Sequence, residues 1–268
     1  MSTRPQVVID PRQQQVSQLD EAGRHAEALA LLQELYAEAE AEPAPERTRY
    51  FMTMFQWKML TENYPPASTA LAAVRDDQAT RFLAGEMYSG SGGDNHGSSK
   101  EAPWQRVSRF SLIVDMNRTL ADPRATHALF LQLEAASPEL ARRHAWQALP
   151  DIVAAGDFTL ADRYRRDPLA LLGDVKENAR SMPLFPPPGQ APRLSAELSN
   201  LAGDVRVGIA VLRGLGRAEE ADALRAALLA GLPPGQLRDL AERELDERGT
   251  IHRALAAHQM TLEDRDTA

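Results

Sequence analysis

Gly23-Arg24-His25-Ala26-Glu27-Ala28-Leu29-Ala30-Leu31-Leu32-Gln33-Glu34-Leu35-Tyr36 decides the fold. A glycine stops one helix because it alone enters left-handed backbone without penalty. The run behind it puts Ala28, Leu31, Leu32 and Leu35 at i, i+3, i+4 and i+7, the spacing of a single buried helical face. Nearly the same wording returns at Gly216-Arg217-Ala218-Glu219-Glu220-Ala221, and the pair Gly156 and Ala161 repeats the interval. In each case the glycine ends a helix and the small alanine lets the next one pack closely. The building block is a helical hairpin.

Composition extends that reading to the whole chain. Ala and Leu supply 77 of the 268 residues, Val and Ile only 16, and aromatics are 6%. Sheets want β-branched and aromatic side chains, whereas Ala and Leu head the helix ranking. The predicted fold is all-α, an irregular stack of antiparallel helix pairs with no sheet.

Turn signals set the expected divisions. Residues 1–13, with two prolines and the first of the three consecutive glutamines Gln13–Gln15, read as a flexible lead-in. A helical array follows over 14–182. Phe51, Met54, Trp57, Leu60 and Tyr64 mark the apolar face of one of its helices, closed by Pro65-Pro66. A flexible loop over 89–103 interrupts the array, since eight of the eleven residues 89–99 are Gly or Ser. Asp122-Pro123, Ser137-Pro138 and Asp167-Pro168 each place a capping side chain before a proline at the first helical position. A proline-rich linker, 183–192, then leads to a C-terminal helical cap over 193–260 and a tail, 261–268. About eleven helices are expected.

The glycine turns, together with Trp57, Leu60, Tyr64 and Pro233, which lies seventeen residues after Gly216, give three hairpins that resemble tetratricopeptide repeats. The resemblance covers less than half the chain. It implies an α-solenoid-like scaffold that binds other proteins, and it brings no catalytic residue.

The search for chemistry returns little. There is no His-Glu-x-x-His, Gly-x-Ser-x-Gly, phosphate loop or dinucleotide glycine fingerprint. The absence of cysteine removes disulfides and thiolate sites together. No cofactor and no metal are expected. Ser91, Asp94, His96 and Ser98 hold the letters of a hydrolytic triad, but a glycine-rich loop lacks the rigid second shell that catalysis needs. His144 aligns with Leu140, Ala148 and Ile152 and reads as a structural histidine. Trp57, Trp104 and Trp146 read as core anchors, and Gly203 and Gly208 as sites of close helix packing.

Charge carries the clearest functional signal. A net charge of −8 argues against nucleic-acid binding, which needs a basic footprint. No run of 18 apolar residues exists to span a membrane, and no signal peptide is seen, so a cytoplasmic protein is expected. From Asp20 to Glu46 eight acids face one base, Arg24. Glu34, Glu38 and Glu42 repeat at i, i+4 and i+8, a stripe of like charge that destabilises an isolated helix. That stripe, with Asp20 and Glu46, is the expected partner-binding surface for one basic protein. The reading is a non-catalytic protein-binding module, a bacterial adaptor or immunity-type protein. The alternatives are a hydrolase-like enzyme with a site around 89–99 and a structural scaffold in a homo-oligomer.

Overall fold

The computed structural model describes residues 10–43, 45, 47–92 and 106–267, with side chains as far as residue 262. Among them run α1 (Pro11–Glu21), α2 (His25–Ala41), α3 (Arg47–Asn63), α4 (Pro65–Leu83), α5 (Arg109–Thr119), α6 (Pro123–Ala136) and α7 (Pro138–Ala154). They continue with α8 (Phe158–Tyr164), α9 (Leu172–Asn178), α10 (Arg193–Gly214), α11 (Ala218–Gly231), α12 (Gln236–Asp246) and α13 (Thr250–Thr267). The protein is all-α. Among the described residues extended pairing amounts to an isolated antiparallel bridge between Tyr88 and Ser108.

The corner read from Gly23 recurs with the same hydrogen bonds. Gly23 N–H donates to Asp20 O and Arg24 N–H to Leu19 O, while Gly156 and Gly216 lead the equivalent pairs. All three glycines have positive φ: 72°, 87° and 75°. This is the left-handed C-cap that satisfies a helix's last carbonyls. Gly85 makes the same pattern, and so does Ala121, the one positive-φ residue other than glycine among those described. Ala28, Ala161 and Ala221, each five residues past its glycine, are fully buried.

Two compact units divide within α7, between Ala148 and Leu149. In the first, α1 to α6 pack mainly on their chain neighbours, with α1 and α5 also reaching α3. Its core gathers Leu32, Leu35, Tyr36, Trp57, Leu60 and Leu71. Trp57 is wholly buried, and its indole N–H donates to Ala67 O at 3.0 Å. The Tyr36 ring meets the Trp57 ring edge-on.

The second unit is organised around α10, against which α8, α9, α11, α12 and α13 all pack. Close approach to α10 needs small residues. A β-carbon at Gly208 would lie 2.9 Å from Pro168 Cγ, and one at Gly214 would collide with the Phe158 ring. Gly203, by contrast, faces open space. The segment 183–192 belongs to this unit, with Leu184 and Phe185 packed against its core.

Four local expectations need correction. Helix α1 begins at Pro11, because Asp10 accepts from Arg12 N–H and caps it, so residues 11–13 are helical. Asp167-Pro168 opens a turn instead of a helix, and α9 starts only at Leu172. Phe51 is 68% exposed instead of joining Trp57 inside, and Trp146 is 61% exposed. Trp104 lies outside the described residues.

Candidate functional site

The acidic stripe exists in space, but it is not bare. Arg12 from α1 donates to Glu38 through both terminal nitrogens, at 2.8 and 2.6 Å, and lies 3.5 Å from Glu34. Arg49 from α3 pairs with Glu42 and approaches Glu38 at 3.6 Å. The hydrogen bonds from Arg12 lower the Glu38 pKa below the usual carboxylate range. Asp20 stands apart, 2.9 Å from His25 Nδ1, and Glu46 lies outside the described residues. Both arginines fall outside the sequence window that made the stripe look uncompensated. Tertiary contact supplies the countercharge.

The fourth glutamate of α2, Glu40, points the other way, into a buried polar cluster that sequence reading missed. Its side chain is 11% exposed and that of Arg109, at the start of α5, is 0% exposed. Arg109 Nη1 donates to Glu40 Oε2 at 3.2 Å and to Gln78 Oε1. Its other nitrogens donate to the backbone carbonyls of Glu86 at 3.0 Å and Tyr88 at 2.7 Å. Arg81 and the Tyr50 hydroxyl also donate to Glu40. Burial works to raise the Glu40 pKa. The Tyr50 hydrogen bond and the charges of Arg109 and Arg81 outweigh it, and the carboxyl stays below its ordinary value. Burial and the same carboxylate push the Tyr50 hydroxyl far above its normal range. Charges that are buried, opposed and multiply hydrogen-bonded are a structural tie.

That tie also fixes the start of the glycine-rich segment. Ser89 is 2% exposed, and Gly90, at φ 93°, is held against the end of α2. A β-carbon there would lie 2.5 Å from Pro45 Cδ and 2.6 Å from Glu42 O. Ser91 N–H donates to Glu42 O, Gly92 N–H to Pro43 O, and Ser91 Oγ to Ala41 O. Ser89 and Gly90 are therefore buried and Ser91 and Gly92 hydrogen-bonded to the end of α2, unlike the loose loop expected over these four residues. Asp94, His96 and Ser98 lie outside the described residues.

Beside this tie runs a groove of about 1100 Å³ in the first unit. One wall is α3, which contributes Phe51, Met54 and Phe55; the other is built by Leu112 of α5 and Leu140 of α7. Tyr50, Met87 and Tyr88 join the groove to the Glu40 cluster. Phe51 and Phe55 are 68% and 52% exposed, one helical turn apart. Around this apolar lining stand Arg47, Lys58, Arg106, Arg118 and Arg143, with Asp115 as the one carboxylate among the described lining residues. Arg106 lies over the Tyr88 ring, 4.4 Å from its centre.

His144 closes one end of the groove. Its ring stacks on Phe110 at 4.6 Å and meets Phe82 edge-on at 5.9 Å. Burial pulls its pKa below the ordinary histidine value. Its Nδ1 faces Gln147 Oε1 at 3.2 Å, and Gln147 Nε2 donates to Ser111 Oγ. An amide standing between imidazole and hydroxyl is a spacer, not a proton-accepting relay. Among the described residues no cluster of His, Asp or Glu is arranged to hold a metal ion.

Compared with known protein families, curated proteins and solved structures, the chain matches none of them.

Proposed function

We propose that the protein is a non-catalytic, adaptor-type protein-binding module that docks its partner in the α3/α5/α7 groove of the first unit. The observation that carries this reading is the exposed pair Phe51 and Phe55 beside an apolar trough. Large apolar side chains held in contiguous contact with water mark interaction surfaces more often than scattered ones do. The neighbour-on-neighbour packing of α1 to α6 supports the tetratricopeptide-like, scaffold-forming part of the same proposal. The α2 stripe is the weaker docking surface, because Arg12 and Arg49 already bind its carboxylates.

The test is a photo-crosslinking residue, p-benzoylphenylalanine, placed at Phe55 and, as a control, at Met260. Met260 is 64% exposed and lies in the second unit. In the native host, a discrete protein adduct from position 55 and none from position 260 is the expected result. Equal labelling at both positions, or no adduct at 55, would refute the groove as the docking surface.

A further inference from the structure

The groove's charge runs against that of the whole chain. The protein carries 38 acidic and 30 basic side chains. Yet among the described residues five of those bases and one of those acids line the groove. Arg47 and Lys58 stand at the two ends of the α3 wall, Arg143 rises from α7, and all three are exposed. Asp115, the one acid among the described lining residues, lies 3.8 Å from Arg118. A cationic rim around an apolar trough, on an otherwise acidic molecule, selects an occupant that is apolar on one side and acidic on the other.

The dimensions select its shape. Arg47 to Lys58 is twelve residues of helix, about 16 Å at 1.5 Å per residue. That is about three turns of a partner helix lying alongside, enough for anchors at i, i+3 or i+4, and i+7. The open volume lies at the upper end of what small-molecule pockets enclose. A second copy of this chain fits poorly. Symmetric docking of α3 on α3 would bring the cations of one rim, Lys58 and Arg143 among them, against those of the other. The chain's own acidic helix, α2, already buries Leu32, Leu35 and Tyr36 in its core and has no apolar face to offer.

We propose that the groove takes an acidic amphipathic helix of a partner protein, apolar face against Phe51, Phe55 and Leu140, and carboxylates toward Lys58 and Arg143. The inference rests on the groove being the docking surface and adds the chemistry of what docks there.

Two fluorescein-labelled synthetic helices test it. Both are about 15 residues long with leucine at i, i+3, i+4 and i+7; one carries glutamate at the outer positions and the other lysine. Fluorescence anisotropy with the full-length protein should show the glutamate helix binding at least about ten-fold tighter, with affinity falling as salt rises from about 0.05 M to about 0.5 M. The double variant K58E/R143E should reverse the preference. F51S/F55S should weaken the glutamate helix by about ten-fold or more. These four side chains are exposed, and unchanged circular dichroism and thermal melting verify that each variant is folded. Equal binding of the two helices, preference for the lysine helix, or binding of neither would overturn the inference. So would a dimer in sedimentation that F51S/F55S dissociates. If neither helix binds while the adduct at position 55 still forms, the acidic-helix chemistry is wrong and protein docking in the groove stands. If that adduct is also missing, the groove reading itself falls.

Discussion

Arg109→Met cuts the buried tie at its centre. Methionine nearly matches the length of the arginine stem, so the change removes donors and charge with little loss of volume. Five acceptors lose a partner: the Glu40 and Glu86 carboxylates, the Gln78 side-chain oxygen, and the backbone carbonyls of Glu86 and Tyr88. Breaking a buried pair by removing one member costs about 3–5 kcal/mol. Glu40 keeps Arg81 and Tyr50, which argues for the lower half, about 3 kcal/mol, plus about 1 kcal/mol for the stranded carbonyls. In a unit of this size, 4 kcal/mol corresponds to a fall in Tm of about 8–16 °C. Trp57 and Trp146 lie in the first unit and the third tryptophan, Trp104, falls between them in the chain, so tryptophan fluorescence during urea unfolding follows that unit. Glu40→Gln should also destabilise, by leaving Arg81 and Arg109 facing a neutral amide. The double variant should lose less than the sum of the singles by about 1 kcal/mol or more. The Glu40 pKa is lower in the folded protein than its ordinary 4.5, so the unfolded chain takes up the proton first. The stabilisation is complete above about pH 4.5 and drains away as pH falls toward the folded-state value. A loss under about 1 kcal/mol for Arg109→Met, or strict additivity in the double variant, would refute the claim that the cluster acts as one tie.

Replacing Gly203 by Ala should stabilise the second unit by about 0.5–1 kcal/mol, because the site is helical and faces open space; Gly208→Ala should destabilise it, since its methyl meets Pro168 and Leu224. Urea titration by circular dichroism reads both. The His144 pKa is depressed below 6.5 by burial, so the unfolded state is protonated first and the first unit should lose stability as pH falls below about 6.5. His144→Gln should flatten that slope in tryptophan-monitored unfolding. The triple change of Glu34, Glu38 and Glu42 to Gln should lower Tm slightly at low salt, by depriving Arg12 and Arg49 of partners, and the difference should vanish at about 1 M salt. A rise in Tm would show that repulsion along α2 outweighs those pairs.

What was legible in the sequence was local. The glycine corners, the alanines five residues on and the Asp122 cap are decided within a few residues, by backbone sterics and by helix ends that must find hydrogen-bond partners. Those features settle the helices and the all-α class. The groove and the buried tie depend on distant pairings. Arg109 and Glu40 lie 69 residues apart, and no spacing rule connects them. The stripe failed as a guide for the same reason: its charge was counted along the chain, while Arg12 and Arg49 answer it from α1 and α3. The third helix is the instructive case. Its apolar residues recur on nearly every face, with Tyr50 and Trp57 buried and Phe51 and Phe55 exposed. A helix that is apolar all round is ordinarily buried on every side, yet α3 leaves Phe51 and Phe55 in water. The sequence showed that surplus as an indistinct periodicity. Only the positions of the helices packed against it decide which half is core and which half, with cations on either side, stays in water.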